Sequence, residues 1–324
     1  MPAMAMVEHL IGLQGQENLP PYLSLAARLD GFDPMELSEH LERRQAVRML
    51  AMRGTVHVLH PDDALGLRPW VQPALDQQSR SNQNSRPARD VPVDALVEEI
   101  RRALADGPLP VKTLGERLAD AFPEVPAAAL AHAARERAPL VQVPPRGLWQ
   151  RSGGVVYQTV DRYLARDTIP VDVRELVRRY LRAFGPATPA DMTTWSRVTR
   201  LGPVFASMRE ELVEVRCEDG RRRYDVPGAP CASGEVDAPV RLLGTYDNVW
   251  LSHADRAHVV PDDVRPRWMG SNGGVASTVF VDGFMAGLWW WRDSSVVTEL
   301  YRPLTRRQHS ELDAEIDRVR LLLA

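Results

Sequence analysis

The sequence predicts a mixed α+β fold that consists of three tandem winged-helix units and a β-rich C-terminal part. The first observation is a repeat, since three helical patterns followed by two strand patterns occur twice, with a period of roughly seventy to eighty residues. This order is that of a helix-turn-helix followed by a β-hairpin, the wing. The second is length, because 324 residues exceed one ordinary domain. The third is a change to strand-like sequence from about residue 231.

The first unit is the most divergent copy of the repeat. Helices are predicted over residues 3–13, about 20–30 and 34–50, and the strand-like MRGTVHVL follows at 52–59. A wing is not evident in this copy. Residues 77–90 are polar without periodicity and are interpreted as a surface loop or linker.

The second unit has the clearest pattern. Apolar residues at helical spacing predict a helix over 93–106, which a Gly-Pro pair ends. Thr113 is the predicted N-cap of the next helix, and Pro126 opens the third. A strand, LVQVPP, and a hairpin with its turn at residues 153–154 complete the unit.

The third unit repeats this order. A helix is predicted over 171–184 and ends at another Gly-Pro pair, and two short helices follow in ADMTTWSRV and GPVFASMREE. A hairpin around Asp219-Gly220 forms its wing. The C-terminal part has three strand-like segments, a turn at Asp282-Gly283 and a closing helix. The predicted boundaries are 1–90, 91–167, 168–230 and 231–324.

Composition excludes several classes of protein. The net charge of -3 argues against bulk non-specific binding of nucleic acid, although it allows a local basic surface. Cys217 and Cys231 are the only cysteines, so neither a disulfide framework nor a metal site with cysteine spacing is predicted. No apolar run is long enough to span a membrane. We expect a cytoplasmic monomer with no metal and no cofactor.

Two glutamines interrupt the repeat in the first unit. Where the later units have a Gly-Pro turn between their first and second helices, this unit has Gln14-Gly15-Gln16. One interpretation is that the amides cap helix ends and satisfy backbone groups there. The other is that they form a reactive site, because the scaffold needs only a turn at this position.

Several stretches spread over nearly the whole chain share one resemblance. They are HLIGLQGQENLPPYLSLAARL, RGTVH, GPLP, LVQVPPRGLW, FGPATPADMTTWS, LLGTYDNVWLSHADR and VDGFMAGLWWW. In these stretches the sequence resembles the AlkZ-like winged-helix DNA glycosylases, relatives of the azinomycin-resistance glycosylase. The resemblance implies three winged helices in a C shape around duplex DNA. It also implies a catalytic Gln-hydrophobic-Gln signature on Gln14 and Gln16, where Gly15 departs from the bulkier apolar residue of the pattern.

The chemistry of the glutamines indicates the substrate class. Most glycosidases use two carboxylates, one as acid and one as base or nucleophile. A purine alkylated on its imidazole ring is already cationic, so it departs as a neutral base without an acid. An amide can hold a water and stabilise an oxocarbenium-like sugar. We therefore predict a monofunctional DNA repair glycosylase for bulky or cationic alkylated purines in double-stranded DNA, including crosslink adducts. Which glutamine holds the water stays open.

Other residues are candidates for supporting roles. Strand alternation places Arg53, Thr55 and His57 on one face, where they would line the lesion pocket. Arginines near the predicted wings and helix starts are candidates for phosphate contacts. They are Arg146, Arg151, Arg197, Arg200, Arg221 and Arg222. The alternative in each case is an ordinary solvated surface.

Two further functions compete with the glycosylase. Winged helices chiefly read DNA, so a non-catalytic transcriptional regulator is the main alternative. A scaffold that binds proteins through stacked winged helices is the other. A lyase needs an amine nucleophile, and Lys112, the only lysine, lies far from the glutamines in the chain.

Overall fold

A computed structural model describes residues 1–217, 220–230, 236–260 and 276–324. The predicted α+β class is confirmed, since helices and three antiparallel sheets alternate along the chain. Across the described ranges, no helix is long and apolar enough to cross a membrane.

The first segment has a hairpin that the sequence did not reveal. Its elements are α1 (Ala3–His9), β1 (Leu13–Gln14), α2 (Pro20–Ala26), α3 (Pro34–Glu42), β2 (Val47–Leu50), β3 (Val56–Leu59) and α4 (Pro61–Ser79). The helix predicted over 34–50 is wrong beyond Glu42, because β2 occupies its second half. A 3₁₀ turn at Met52–Gly54 joins β2 to β3, so the predicted strand over 52–59 begins only at Val56. The predicted polar loop begins later, since α4 extends to Ser79.

The second segment keeps the predicted order with two corrections. Its elements are α5 (Val93–Ala103), β4 (Leu109–Pro110), α6 (Val111–Ala121), α7 (Ala127–Arg137), β5 (Leu140–Gln142), β6 (Val156–Thr159) and α8 (Val160–Leu164). Thr113 is not an N-cap, because α6 begins two residues earlier after Pro110. The hairpin is not tight at 153–154, since residues 143–155 form a long connection between β5 and β6.

The third segment also follows the prediction. Its elements are α9 (Val173–Phe184), α10 (Pro189–Ser196), α11 (Gly202–Ser207), β7 (Val213–Arg216) and β8 (Arg222–Asp225). Asp172 caps α9 by accepting hydrogen bonds from two backbone N–H groups, and the Gly-Pro pair follows the helix end. Asp219 of the predicted turn lies outside the described residues.

The three segments share one strand order. In the first two, the strand after the first helix pairs with the last strand of the segment, giving β1-β3-β2 and β4-β6-β5. In the third, a single bridge from Ala187 to Tyr224 takes the place of that strand, beside the β7–β8 hairpin. β2 pairs with β5, so the first two segments form one six-stranded sheet.

The C-terminal segment matches its predicted strands and helix with one correction, because the first strand-like segment, VRLLGTYDNVWL, is a strand only at Arg241–Leu243 and forms a short helix at Asn248–Leu251. Its elements are β9 (Arg241–Leu243), α12 (Asn248–Leu251), β10 (Thr278–Val281), β11 (Phe284–Arg292), β12 (Ser295–Leu300) and α13 (Arg306–Leu323). The predicted turn at residues 282–283 joins β10 to β11. α13 begins with a capping box between Thr305 and Gln308 and packs on the sheet β12-β11-β10-β9.

A continuous apolar core joins the first and third segments. Ile11 and Met52 belong to the same buried cluster as Tyr180, Trp195 and Phe205. Burial of such side chains removes apolar surface from water and is the main stabilising contribution. The cluster therefore fixes the glutamine segment and the 3₁₀ turn against α9 and α10.

Candidate active site

Gln14 lies on an edge strand and Gln16 lies just beyond its end, so neither is at the end of a helix. Gln14 is the last residue of β1 and pairs with His57 of β3 across the sheet. The ladder continues through Gly15, whose N–H donates to the Val56 carbonyl at 2.7 Å. The Val56 N–H in turn donates to Gln16 Oε1 at 3.2 Å. Helix capping is therefore wrong for this pair, but the amide of Gln16 does satisfy a backbone group, the N–H of Val56 in β3.

Burial distinguishes the two amides. Gln14 is only 5% exposed, whereas the side chain of Gln16 is open to solvent. Across the described residues, no acceptor takes a hydrogen bond from Nε2 of either glutamine. Each amide thus has its oxygen held by a protein donor, and Nε2 with the second oxygen lone pair remains for a water or a substrate.

Arg53 connects Gln14 to His57 and to the third segment. Its Nη2 donates to Gln14 Oε1 at 3.1 Å and contacts His57 Nε2 at 3.0 Å, while Nη1 donates to the Trp195 carbonyl. His57 Nδ1 donates to the Thr55 carbonyl at 2.9 Å. The tautomer with hydrogen on Nδ1 follows, because Nε2 must accept from a guanidinium that has no lone pair.

The position of Arg53 depends on the 3₁₀ turn. Arg53 and Gly54 have φ angles of 57° and 69°, the left-handed region that non-glycine residues seldom adopt. This geometry turns Arg53 out of the strand and directs it to Gln14. The orientation that strand alternation predicts for Arg53 is therefore wrong, although Arg53 does lie at the site. Thr55 does not line the site, since its hydroxyl donates to the Met52 carbonyl and so stabilises the turn.

The group formed by Gln14, Arg53 and His57 carries one positive charge at neutral pH. Burial, and then the charge of Arg53, lowers the pKa of His57 to about 3, so the imidazole is neutral. Burial, and then the charge of Arg197, lowers the pKa of Arg53 to about 9, so its guanidinium stays charged. The alternative of a solvated strand face is wrong for His57, which is 1% exposed.

His57 is expected to make the protein acid-sensitive. The unfolded imidazole binds a proton below its ordinary pKa of about 6.5, whereas the folded one stays neutral down to about 3. Stability is therefore complete above about pH 6.5 and falls toward pH 3, by up to about 1.4 kcal/mol per pH unit. Urea unfolding between pH 7 and pH 4.5 measures this slope. His57→Gln should flatten it relative to the exposed control His309→Gln, and equal slopes would contradict the assignment.

Arg48 is a site residue that sequence reasoning missed. Its Nη2 donates to the Gly15 carbonyl at 2.8 Å, and the residue is 1% exposed. Burial, and then the charge of Arg146, lowers the pKa of Arg48 to about 10. Gly147 allows its side chain to pass, because a Cβ there would lie 2.3 Å from Arg48 Cδ. The only available signal was an arginine inside the apolar VRML, which was read as helix.

The predicted arginines divide into two groups. Within the described residues, Arg146, Arg151, Arg197 and Arg200 form no ion pair with a carboxylate. Arg146 and Arg197 act electrostatically on Arg48 and Arg53, so they lie near the glutamines. Arg221 instead pairs with Asp255 at 2.8 Å and Arg222 with Glu214 at 3.5 Å. The first group keeps its charge available for an external anion.

Aromatic side chains of the C-terminal segment make internal contacts. Trp289 is buried, and its indole N–H donates to the Leu243 carbonyl at 2.9 Å. The rings of His253 and His258 contact each other at 4.6 Å between centroids. Among the described residues, no group of three His, Cys, Asp or Glu side chains could hold a metal ion.

Comparisons with known proteins cover nearly the whole chain. A family model described as "DNA glycosylase AlkZ-like" matches residues 7–321. A curated relative, the "Interstrand DNA cross-link repair glycosylase" of Streptomyces sahachiroi, is 24% identical over 327 aligned positions, with 89% of this chain and 81% of the relative covered. The solved structure of Streptomyces sahachiroi DNA glycosylase AlkZ superposes with a TM-score of 0.79 at 22% identity, covering 99% of this chain and 91% of that one. The structural likeness shows a shared fold.

Proposed function

The chain belongs to the AlkZ-like DNA glycosylase family, and from that premise we propose that it is a DNA repair glycosylase for bulky or cationic alkylated purines, crosslink adducts included. The observation that supports this most is the pair of amides held beside a charged Arg53 and a neutral His57. No carboxylate hydrogen-bonds to either glutamine within the described ranges. The amides are held without a carboxylate partner, which suits a leaving group that needs no general acid.

The proposed reaction is hydrolysis of the N-glycosidic bond. The bonding pair between C1′ and the purine nitrogen passes to the cationic purine, which leaves as a neutral base. A water oxygen then bonds to C1′ and its proton is released to solvent, leaving an abasic site. Gln16 positions this water, because its amide is solvent-accessible. Gln14, whose oxygen is fixed by Arg53, contacts the sugar.

The arrangement of the chain around DNA is part of the proposal. Residues 1–90, 91–167 and 168–230 form three winged-helix units in a C shape around the duplex, and 231–324 completes the protein. The shared strand order supports this interpretation. Arg146, Arg151, Arg197 and Arg200 contact phosphates, since their charges are not neutralised by carboxylates of the described residues. Arg221 and Arg222 would first have to leave their acidic partners.

The position of the only lysine supports a monofunctional mechanism. Lys112 is exposed in the first turn of α6 and lies 3.8 Å from Glu116. α6 follows β4, which lies at the opposite edge of the six-stranded sheet from the glutamine strand β1. A lyase would form a Schiff base between an amine and C1′. Incubation with lesion DNA and borohydride is therefore expected to give no trapped covalent adduct, and a trapped adduct would overturn the monofunctional assignment.

The decisive experiment uses a duplex with one cationic N7-alkylguanine. Wild-type protein and Gln14→Ala plus Gln16→Ala are incubated with it under single-turnover conditions, and abasic sites are cleaved with alkali. We expect strand scission by the wild type and a loss of at least about a hundredfold in the double variant, because transition-state contacts disappear. Gln77→Ala, an exposed glutamine on α4, is the matched control.

Two outcomes would reject the proposal. Intact strands across several alkyl lesions, combined with salt-dependent binding that ignores the lesion, would indicate the transcriptional regulator. Scission by the double variant at the wild-type rate would place the reaction elsewhere in the protein.

A further inference from the structure

Arg48 donates a hydrogen bond to the backbone between the two glutamines. The Val56 carbonyl accepts from the Gly15 N–H at 2.7 Å and so fixes the peptide between Gln14 and Gly15. The next peptide, between Gly15 and Gln16, lies beyond the end of β1, and its carbonyl accepts from Arg48 Nη2 at 2.8 Å. Glycine has the largest backbone freedom of any residue, so this second contact limits the directions in which Gln16 can point.

The side chain of Arg48 is neither open to DNA nor paired with a carboxylate of the described residues. It is 1% exposed, so a phosphate or a base does not contact it directly, and burial lowers its pKa only to about 10, which leaves it charged. Its Nε and Nη1 have no acceptor in the described structure. A buried charge without a partner is costly, so stability alone does not account for this arginine. The hydrogen bond that it does make, to the Gly15 carbonyl, indicates a role at the glutamines.

The second segment encloses Arg48 and keeps its guanidinium at this carbonyl. Gly147, in the long connection between β5 and β6, passes so close that a Cβ there would lie 2.3 Å from Arg48 Cδ and 2.9 Å from its Nη1. The Gly147 carbonyl accepts from the Tyr22 hydroxyl of α2 at 2.7 Å. The connection is also joined to α3, where Ser38 Oγ accepts from the Trp149 N–H at 2.9 Å. The side chain of Arg48 therefore has little room to leave the glutamine segment.

We propose that Arg48 is a positioning residue that sets the orientation of Gln16, the glutamine to which the proposed function assigns the water. This inference rests on the proposed function and adds the contact by which an exposed amide beyond a strand end keeps one direction. Gln16 Oε1 is held by the Val56 N–H at 3.2 Å, and the backbone of Gln16 is held by Arg48 through the preceding carbonyl. With both ends held, the amide presents the water to C1′ in a single geometry. Arg48 acts through Gln16 and touches neither the water nor the sugar.

The experiment removes the donor of Arg48 and compares the result with the loss of another buried arginine. Arg48→Met keeps much of the side-chain length, and Arg48→Leu is a second, more compact replacement. Folding is expected in both, because apolar side chains often replace buried charges without loss of stability. Arg68→Met is the matched control, since Arg68 is also 1% exposed and burial lowers its pKa to about 10. Its Nη2 donates to the carbonyls of Glu136 and Ala138, at 2.9 and 3.1 Å, rather than to the glutamine segment.

The first readout needs no DNA. The NMR order parameter of the Gln16 backbone amide reports on the hydrogen bond, because this N–H and the Gly15 carbonyl belong to one planar peptide group. We expect a rigid value of about 0.85 in the wild type and in Arg68→Met, and a decrease toward about 0.6 in both Arg48 variants. A rigid Gln16 amide in the Arg48 variants would overturn the inference.

Excision is the second readout, measured with a duplex that contains one N7-methylguanine. At saturating protein, the single-turnover rate per folded molecule should fall by about tenfold in both Arg48 variants, because the water is no longer held in place. Affinity for undamaged duplex should stay unchanged, since Arg48 is closed to solvent. In a Gln16→Ala background, Arg48→Met should add almost nothing, because the residue that it positions is absent. Arg68→Met should keep the wild-type rate.

The outcomes separate this inference from the proposed function. A wild type that releases no base would reject the glycosylase, and the order parameter of Gln16 would still decide the inference. The wild-type rate in the Arg48 variants, or a further loss of about tenfold from Arg48→Met in the Gln16→Ala background, would overturn the inference and leave the glycosylase intact. An equal loss of rate in Arg68→Met, or loss of folding in both Arg48 variants, would make Arg48 a structural residue and would overturn the inference as well.

Discussion

Replacement of Arg53 by methionine is expected to lower the single-turnover excision rate by about a hundred- to a thousandfold, the usual effect of removing one preorganised donor. Methionine keeps much of the side-chain volume but removes the donors to Gln14, His57 and Trp195. Gln14 would then be free to rotate its amide, and the fixed geometry would be lost. Single-turnover rates at saturating protein, together with affinity for undamaged duplex, separate this effect from weaker binding.

A second readout distinguishes positioning from general destabilisation. The charge of Arg53 is the second cause, after burial, of the low pKa of His57. Without it the pKa of His57 should rise, and the imidazole should titrate at a higher pH in NMR spectra. Arg197→Met removes a nearby charge that does not contact Gln14 and should leave that titration in place. A wild-type rate in Arg53→Met would show that Arg53 does not position the glutamine.

Arg53→Lys tests whether charge alone is sufficient. Lysine retains the positive charge but lacks the planar fork that reaches Gln14, His57 and Trp195 together. Its rate is expected to lie between those of the wild type and the methionine variant. An intermediate rate would show that Arg53 acts through its geometry as well as through its charge.

The sequence predicted the glutamine pair because it breaks a repeat. The later segments have a Gly-Pro pair at the corresponding place, and the departure at residues 14–16 was visible without a structure. The sequence also predicts Arg53 and His57 as site residues. It does not predict their arrangement, because alternation assumes a regular strand, and the left-handed φ of Arg53 belongs to a tight turn. Periodicity alone does not predict such a turn.

Arg48 was missed for a different physical reason. The run from Val47 to Leu50 is fully buried, so its apolar pattern fits a helix as well as a strand. Pairing with β3 and β5 decides between them, and β5 is remote in sequence. Tertiary contacts, which single-sequence reasoning does not contain, therefore determine both the strand and the position of Arg48.

Replacement of Asp247 by alanine is expected to reduce the free energy of unfolding by about 3–5 kcal/mol, the cost of leaving a buried charge without its partner. Both oxygens of Asp247 accept hydrogen bonds from Arg28, at 2.7 and 2.8 Å, and its side chain is fully buried. Burial by itself raises the pKa of Asp247, but the charge and hydrogen bonds of Arg28 lower it overall. The carboxylate also caps α12 through the Val249 N–H at 3.0 Å. Urea unfolding at pH 7 measures the loss.

An exposed ion pair of the same length provides the control for Asp247. Arg307 and Asp237 also approach to 2.7 Å, but their side chains are 66% and 71% exposed. Asp237→Ala should change stability by about 1 kcal/mol at most, because solvent screens such pairs. Comparable losses in the two variants would show that burial does not determine how much the Arg28–Asp247 pair contributes to the free energy of unfolding.

Arg28 belongs to the first segment and Asp247 to the C-terminal one. A loss of stability in Asp247→Ala alone would therefore mean that this pair joins the two segments. Excision per folded molecule should then be unchanged, because neither residue contacts the glutamines.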